Sequence, residues 1–282
     1  VTPAPGSAAD PSFPTPTLEQ WQALALKALR GRPLEELAHT TLEGIKLEPL
    51  YTEAQEEGVA HMGGLPGQAP FVRGPTAAGH GRRSWLRRTD LALPLPDAWG
   101  AAARDEMEQG STALGMMLDD ASRAGLDPDA DEAGELVGRR GMSLSSLADL
   151  DQALGGVDLG TTALFLEGGG AGLQMAGLLF ALSQQRGVDT SALQGFLSCD
   201  PLGELAAGGA LPVPLSQAYD EMAALMTWVS QHSPRLRVAM VHIDPYHDAG
   251  ANAVHELAFA LAPGAAYLAA LTDRRPPPAR AA

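Results

Sequence analysis

The chain has 282 residues, enough for one large domain or two ordinary ones, and its 45% apolar content can build a substantial core. A net charge of −15 argues against nucleic acid as a main partner, because phosphate binding needs clustered Lys and Arg. The one cysteine, Cys199, excludes an intrachain disulfide, points to a cytoplasmic location and reads as a buried small hydrophobe rather than a nucleophile.

In chain order, residues 1–16 are rich in Pro and Ala and are expected to be disordered; they lack the basic and apolar regions of a secretion signal. Thr17 is the expected N-cap of a helix through LEQWQALALKALRG, which Gly31 and Pro33 stop. PLEELAHTT suggests a short helix, and LEGIKLEPLYT alternates as a strand or extended arm does. Residues 17–57 thus form an arm, and the Gly/Pro-rich residues 58–84 form a long irregular excursion.

From residue 85 to 273 the texture changes. Short apolar runs (SWLRR, TALGMML, RGMSL, TALFLE, LQGFLS and RVAMVHID) alternate with amphipathic patterns. Among the latter, Leu173, Ala176, Leu179 and Ser183 mark a helix face that Leu178 and Leu182 widen. About six βα units in this order predict an α/β domain with a parallel sheet, either a barrel or a doubly wound sheet. No apolar stretch reads as long and clean enough to span a bilayer, and residues 274–282 read as a disordered tail.

Ligands of parallel βα folds bind at the C-terminal strand ends. That rule singles out Asp119, Ser145, Glu167, Ser198, Asp200 and Asp244. EGGGAG at 167–172 reads as a glycine-rich βα loop, a weak phosphate signal on its own. Arg82, Arg83, Arg87 and Arg88 make a local basic patch suited to a small anion. His242 and Asp244 alternate along a strand and share a side. With His247 they make a His/Asp/His metal reading, weaker than a hydrogen-bonded strand end because no Cys partner or H-E-x-x-H pattern accompanies them. Asp248 is the expected cap of a helix from Ala249, with His255 and Glu256 farther along it.

Several stretches together carry a resemblance. WQALALKALRGRPLEELAHTTLEGIKLEPLYT resembles the N-terminal arm of the methylmalonyl-CoA mutases. PFVRG at 70–74 resembles their Pro-Phe-Thr-Arg-Gly signature, and RSWLRR at 83–88 their Arg-Pro-Trp-Thr-Ile-Arg segment. AGANAVHELAFALAPGAAYL is similar to their Ala-Gly-Ala…Glu-Leu-Ala helix. The similarity covers nearly the whole chain after residue 17, in the right order.

The resemblance implies a (β/α)8 TIM-barrel-type domain, incomplete here, preceded by a helical and extended arm for subunit contact. It implies radical rearrangement of an acyl-CoA carbon skeleton with adenosylcobalamin, bound by a partner chain or a separate domain. The substrate or CoA residues it implies are Tyr51, Arg73, Arg83, Arg88, Ser198 and Asp200, and its catalytic-type histidine is His247.

Departures weigh against catalysis. Where the family has Gly-Thr-Ile-Gln-Asn-Asp this chain has GFLSCD, so Ser198 replaces Gln, Cys199 replaces Asn and only Asp200 is kept. Gly208 stands where the family has the Arg that pairs with the substrate carboxylate, a bidentate contact glycine cannot imitate. The loop PYHDAGA is two residues shorter than its counterpart; matching AGA rather than YH puts Pro245 at the histidine position. These departures resemble the non-catalytic small subunit of the heterodimeric bacterial enzymes, which stabilises a catalytic subunit. The alternatives are the acyl-CoA-binding half of a split mutase and a non-enzymatic CoA-ester-binding module.

Overall fold

The computed structural model of the protein describes residues 16–56, 58, 63–81 and 84–274. These fall into two compact units divided after residue 82.

The first unit is the arm. Helix α1 (Leu18–Ala28) starts where the sequence says it should: the Thr17 side chain accepts from the Gln20 backbone N–H while the Gln20 side chain accepts from that of Thr17, a reciprocal capping box. The short helix that follows is one turn of tighter 3₁₀ helix at Leu34–Leu37. The chain then makes a minimal antiparallel hairpin, β1 (His39–Thr40) and β2 (Lys46–Leu47). No residue of α1, β1 or β2 is buried within the structure.

The second unit holds a five-stranded parallel sheet: β3 (Arg88–Leu91), β4 (Ala113–Met117), β5 (Ala163–Glu167), β6 (Gly195–Cys199) and β7 (Leu236–Ala239). The strands lie side by side in sequence order, with no reversal. This settles barrel against doubly wound sheet: right-handed crossovers that always step the same way put every helix on one face and leave the other face open. The sheet is therefore part of a TIM-barrel-type wall. Its helices include α2 (Pro96–Glu108), α3 (Asp120–Arg123), α4 (Leu147–Ala153), α5 (Gly172–Gln185), α6 (Pro201–Gly208) and α7 (Leu215–His232). After β7 come α8 (Asp244–Asp248) and α9 (Ala253–Asp273).

Burial along the strands follows that geometry. Leu164 and Leu166 of β5 are buried while the alternate residues Phe165 and Glu167 are half-open. In β7, Leu236 and Val238 are buried while Arg237 is exposed. The buried side meets Trp99 and Ala103 of α2, Met175, Leu179 and Leu182 of α5, and Met222, Leu225 and Val229 of α7. Trp99 is wholly buried and its indole N–H donates to Leu91 O at 3.1 Å, so the largest core side chain leaves no polar atom unsatisfied.

Three expectations change. The run RGMSL does not form a strand: it makes one parallel bridge, Met142 to Leu118, so the described sheet has five strands rather than about six. The reason is close backbone approach at Gly141, where a Cβ would sit 2.5 Å from the carbonyl oxygens of Met117 and Leu118. Asp248 caps no helix; α9 begins at Ala253, capped by Asn252, whose side chain accepts from His255 N at 2.9 Å. Finally, α9 is long and apolar enough, by length and composition, to cross a membrane, with 21 residues and a mean hydropathy of 1.4. It packs on α7, where Tyr267 meets Tyr219 edge-on at 6.0 Å and Arg274 bonds Asp220 at 2.6 Å.

Leu166 is 1% exposed in the central strand. Leu166→Ala is expected to destabilise the protein by about 2–5 kcal/mol, read as a lowered urea midpoint with an unchanged slope. A loss below about 0.5 kcal/mol would place Leu166 outside the core.

Candidate functional site

The open face of the sheet forms a cleft of about 420 Å³. Its walls come from β3 (Arg88, Asp90), β4 (Gly115, Met117), β5 (Glu167) and the residues after β7 (His242, Asp244). The alternation that buries Leu164 and Leu166 aims Phe165 and Glu167 the other way. Phe165 stacks on Phe196 of β6 at 5.6 Å between centroids, and the Arg88 guanidinium lies 4.6 Å above the Phe165 ring.

Arg88 donates through Nη2 to Glu167 Oε1 at 2.7 Å and through Nε to Asp90 Oδ1 at 2.5 Å. Its desolvation opposes the positive charge, but the bonds to Glu167 and Asp90 outweigh it and raise its already high pKa. Gly115 makes this arrangement possible: a Cβ there would lie 1.7 Å from Asp90 Oδ1 and 2.9 Å from Arg88 Nε.

Beyond Glu167 stands His242. Its Nε2 is 3.9 Å from Glu167 Oε2, and its Nδ1 is 3.1 Å from Asp200 Oδ2. Asp200 follows β6, is 2% exposed, and caps α6 by accepting from Gly203 N at 3.1 Å. The same carboxylate accepts from the His242 backbone N–H at 2.6 Å and from the Tyr267 hydroxyl of α9, which itself accepts from Leu202 N at 2.9 Å. Burial pushes the Asp200 carboxyl up, yet the bonds from His242 and Tyr267 win and hold it below the usual range. The Asp200 bond likewise raises the His242 imidazole above its ordinary value, against burial and with help from Glu167 and Glu204.

Of the residues singled out from sequence, the structure brings Arg88, Asp200 and Ser198 into this region, with Glu167 and Asp244 of the strand-end set and His242 of the His/Asp/His reading. Ser198 is buried in β6 in register with Glu167. Asp119 is instead wholly buried as the cap of α3, accepting from Ser122 N at 2.8 Å and Gly138 N at 2.6 Å. His247 does not line the cleft; it is exposed on α8, with Nδ1 2.6 Å from Glu256 Oε1. Tyr51 and Arg73 belong to the first unit and both are exposed; the Tyr51 hydroxyl accepts from Glu48 N at 3.0 Å. Arg82 and Arg83 lie outside the described residues, and Arg87 donates to Gly110 O at 2.6 Å. The glycine-rich loop is tight for packing reasons, since a Cβ on Gly170 would meet Pro212 at 2.5 Å and Arg123 O at 2.7 Å. Cys199 is shut in against Gly172, and burial first, then Glu221 and Asp200, pushes its thiol to about 12, so it is no nucleophile at neutral pH. Sequence reasoning missed Tyr267 and Gly115. His242 was legible as a hydrogen-bonded residue after a strand, without its partner Asp200.

A family model described as methylmalonyl-CoA mutase matches residues 40–276. The chain belongs to the methylmalonyl-CoA mutase family. It is 31% identical over 262 residues to the methylmalonyl-CoA mutase of Cereibacter sphaeroides, covering 92% of this chain and 37% of that protein. Against the methylmalonyl-CoA mutase small subunit of Streptomyces virginiae it is 33% identical over 282 residues, covering 97% and 41%. The large subunit of the same organism is 30% identical over 259 residues, covering 91% and 35%. The chain thus spans well under half the length of these relatives.

The family's cofactor, adenosylcobalamin, finds no fitting site among the described residues. His242 is engaged by Asp200 and His247 by Glu256, and a 420 Å³ cleft matches the small end of drug-sized ligands. At Gly208 a Cβ would meet open space.

Asp200→Ala strands the buried His242 N–H, Gly203 N–H and Tyr267 hydroxyl. It is expected to cost about 3–5 kcal/mol, measured by urea unfolding at pH 7, with Asp200→Asn retaining part of the loss as an isostere. An Asp200→Ala protein within about 0.5 kcal/mol of wild type would remove Asp200 from the centre of this network.

Proposed function

We propose that this chain is a small-subunit-type member of the mutase family, with little or no turnover of its own, that dimerises with and stabilises a catalytic subunit. One observation carries the reading. Both basic side chains described in the cleft, Arg88 and His242, are already bonded to carboxylates, Arg88 to Glu167 and Asp90 and His242 to Asp200. Two basic groups face Asp90, Glu167, Asp244 and the adjoining Asp200, so an acyl-CoA carboxylate entering there would meet an acidic surface. The Phe165–Phe196 stack adds bulk on the face along which the family's substrate would thread.

The arm supports the partner half of the proposal. Leu24 is 67% exposed and Leu42 at the hairpin tip 89% exposed, an arrangement suited to insertion into another chain. The names of the Streptomyces virginiae relatives, a small and a large subunit, fit such a pairing. Adenosylcobalamin then belongs to the partner, and this chain contributes scaffold rather than chemistry.

The purified chain, given adenosylcobalamin and methylmalonyl-CoA, is expected to show no turnover above the uncatalysed rate. Mixed with a catalytic mutase subunit, it is expected to form a one-to-one complex by light scattering and to raise that subunit's melting temperature. Turnover by the isolated chain at about 1 s⁻¹ or faster, within the ordinary enzyme range, would overturn the proposal.

A further inference from the structure

The charged groups of the cleft form one continuous path. It runs from Asp90 to Arg88 at 2.5 Å, from Arg88 to Glu167 at 2.7 Å and from Glu167 to His242 at 3.9 Å. It continues from His242 to Asp200 at 3.1 Å and on to the Tyr267 hydroxyl. In terms of the fold, the path starts on β3 at one side of the sheet and passes the middle strand β5. It reaches the segment leaving β7 at the other side, and ends on the cap of α6 and on α9. It therefore links β3 to the segment leaving β7 across the cleft face of the described sheet.

We propose that His242 is a proton-operated latch: protonated, it holds Glu167 and Asp200 together and ties the outer strands across the open face, and on losing its proton it releases Glu167. The inference stands apart from the proposed function, since it concerns how this chain holds its own cleft.

The two ring nitrogens make the switch specific. Nδ1 faces Asp200, which is buried and accepts a proton-bearing nitrogen in either state of the ring. Nε2 faces Glu167, so deprotonation there replaces a cation beside a carboxylate with a lone pair beside a carboxylate. Every neighbouring element bears on the balance: Glu167 from β5, Asp200 and Glu204 from the β6–α6 end, Asp244 from α8, Tyr267 from α9 through Asp200, and from β3 Arg88, whose bonds go to Glu167 and Asp90. Acids dominate, which raises the histidine above its ordinary value in the folded protein, the Asp200 bond being the largest cause. A folded-state value above the unfolded one makes the latch fully effective below the ordinary histidine range and weakens it as pH climbs through the folded value.

Amide hydrogen exchange of β5, β6 and β7 in the whole chain, expressed as protection factors from about pH 6 to about pH 9, tests this. Wild type is expected to lose protection with rising pH, by at most about tenfold per unit across the histidine titration. His242→Gln is expected to abolish that dependence, and Glu167→Gln to weaken it while the part set by Asp200 remains. His247→Gln, which removes the exposed pair with Glu256, is expected to leave it intact. Should His242→Gln fail to fold, Glu167→Gln together with an NMR titration of the wild-type His242 ring still decides the matter. A protection profile unchanged in Glu167→Gln, a profile lost in His247→Gln, or a His242 ring titrating at or below about 6.5 would each overturn the proposal.

Discussion

The carboxylate of Asp200 is the fixed point of the second unit. A charge with 2% exposure survives only if its lone pairs are satisfied, and four donors converge on it: the backbone and ring of His242, the backbone of Gly203 and the hydroxyl of Tyr267. Those donors come from the residues after β7, the first turn of α6 and the middle of α9, so one side chain sets the mutual position of three segments far apart in sequence. Removing either side of such a cluster costs more than the intact cluster contributes, because the remaining partners stay buried and unpaired.

From that anchor the cleft follows. His242, held by Asp200, stands against Glu167. Glu167 takes one nitrogen of the Arg88 guanidinium, Nη2, and Asp90 takes a second, Nε. Gly115 supplies the space that lets the Arg88–Asp90 pair lie flat on the sheet. A family scaffold is thus retained while its concave face is satisfied from within. The outward face of the sheet is ordinary by comparison, a close-packed layer of Leu, Met and Trp in which burial of area supplies the stability.

Much of the fold was legible because its signals are local. Thr17 marks the N-cap of α1, and Leu179, Leu182 and Ser183 of the face read from the sequence are buried in α5. Asp200 ahead of Pro201 marks a strand end running into a helix. The site was less legible because it is assembled from contacts that leave no local trace. Tyr267 reaches Asp200 across 67 positions, and nothing in AAYLAAL distinguishes that tyrosine from a packing residue. RGMSL has the composition of a strand, yet the close pass of Gly141 over Met117 and Leu118 limits it to a single bridge. His247 drew notice through its neighbours Tyr246 and Asp248, whereas the short turn of α8 leaves it beside Glu256 and leaves His242 in the cleft.

The central claim is that the cations of the cleft are consumed by the chain's own carboxylates. Isothermal titration of methylmalonyl-CoA into the isolated protein tests it most directly. The account predicts no saturable heat up to about millimolar ligand, the weak end of specific binding. Micromolar binding that disappears in Arg88→Ala would contradict it.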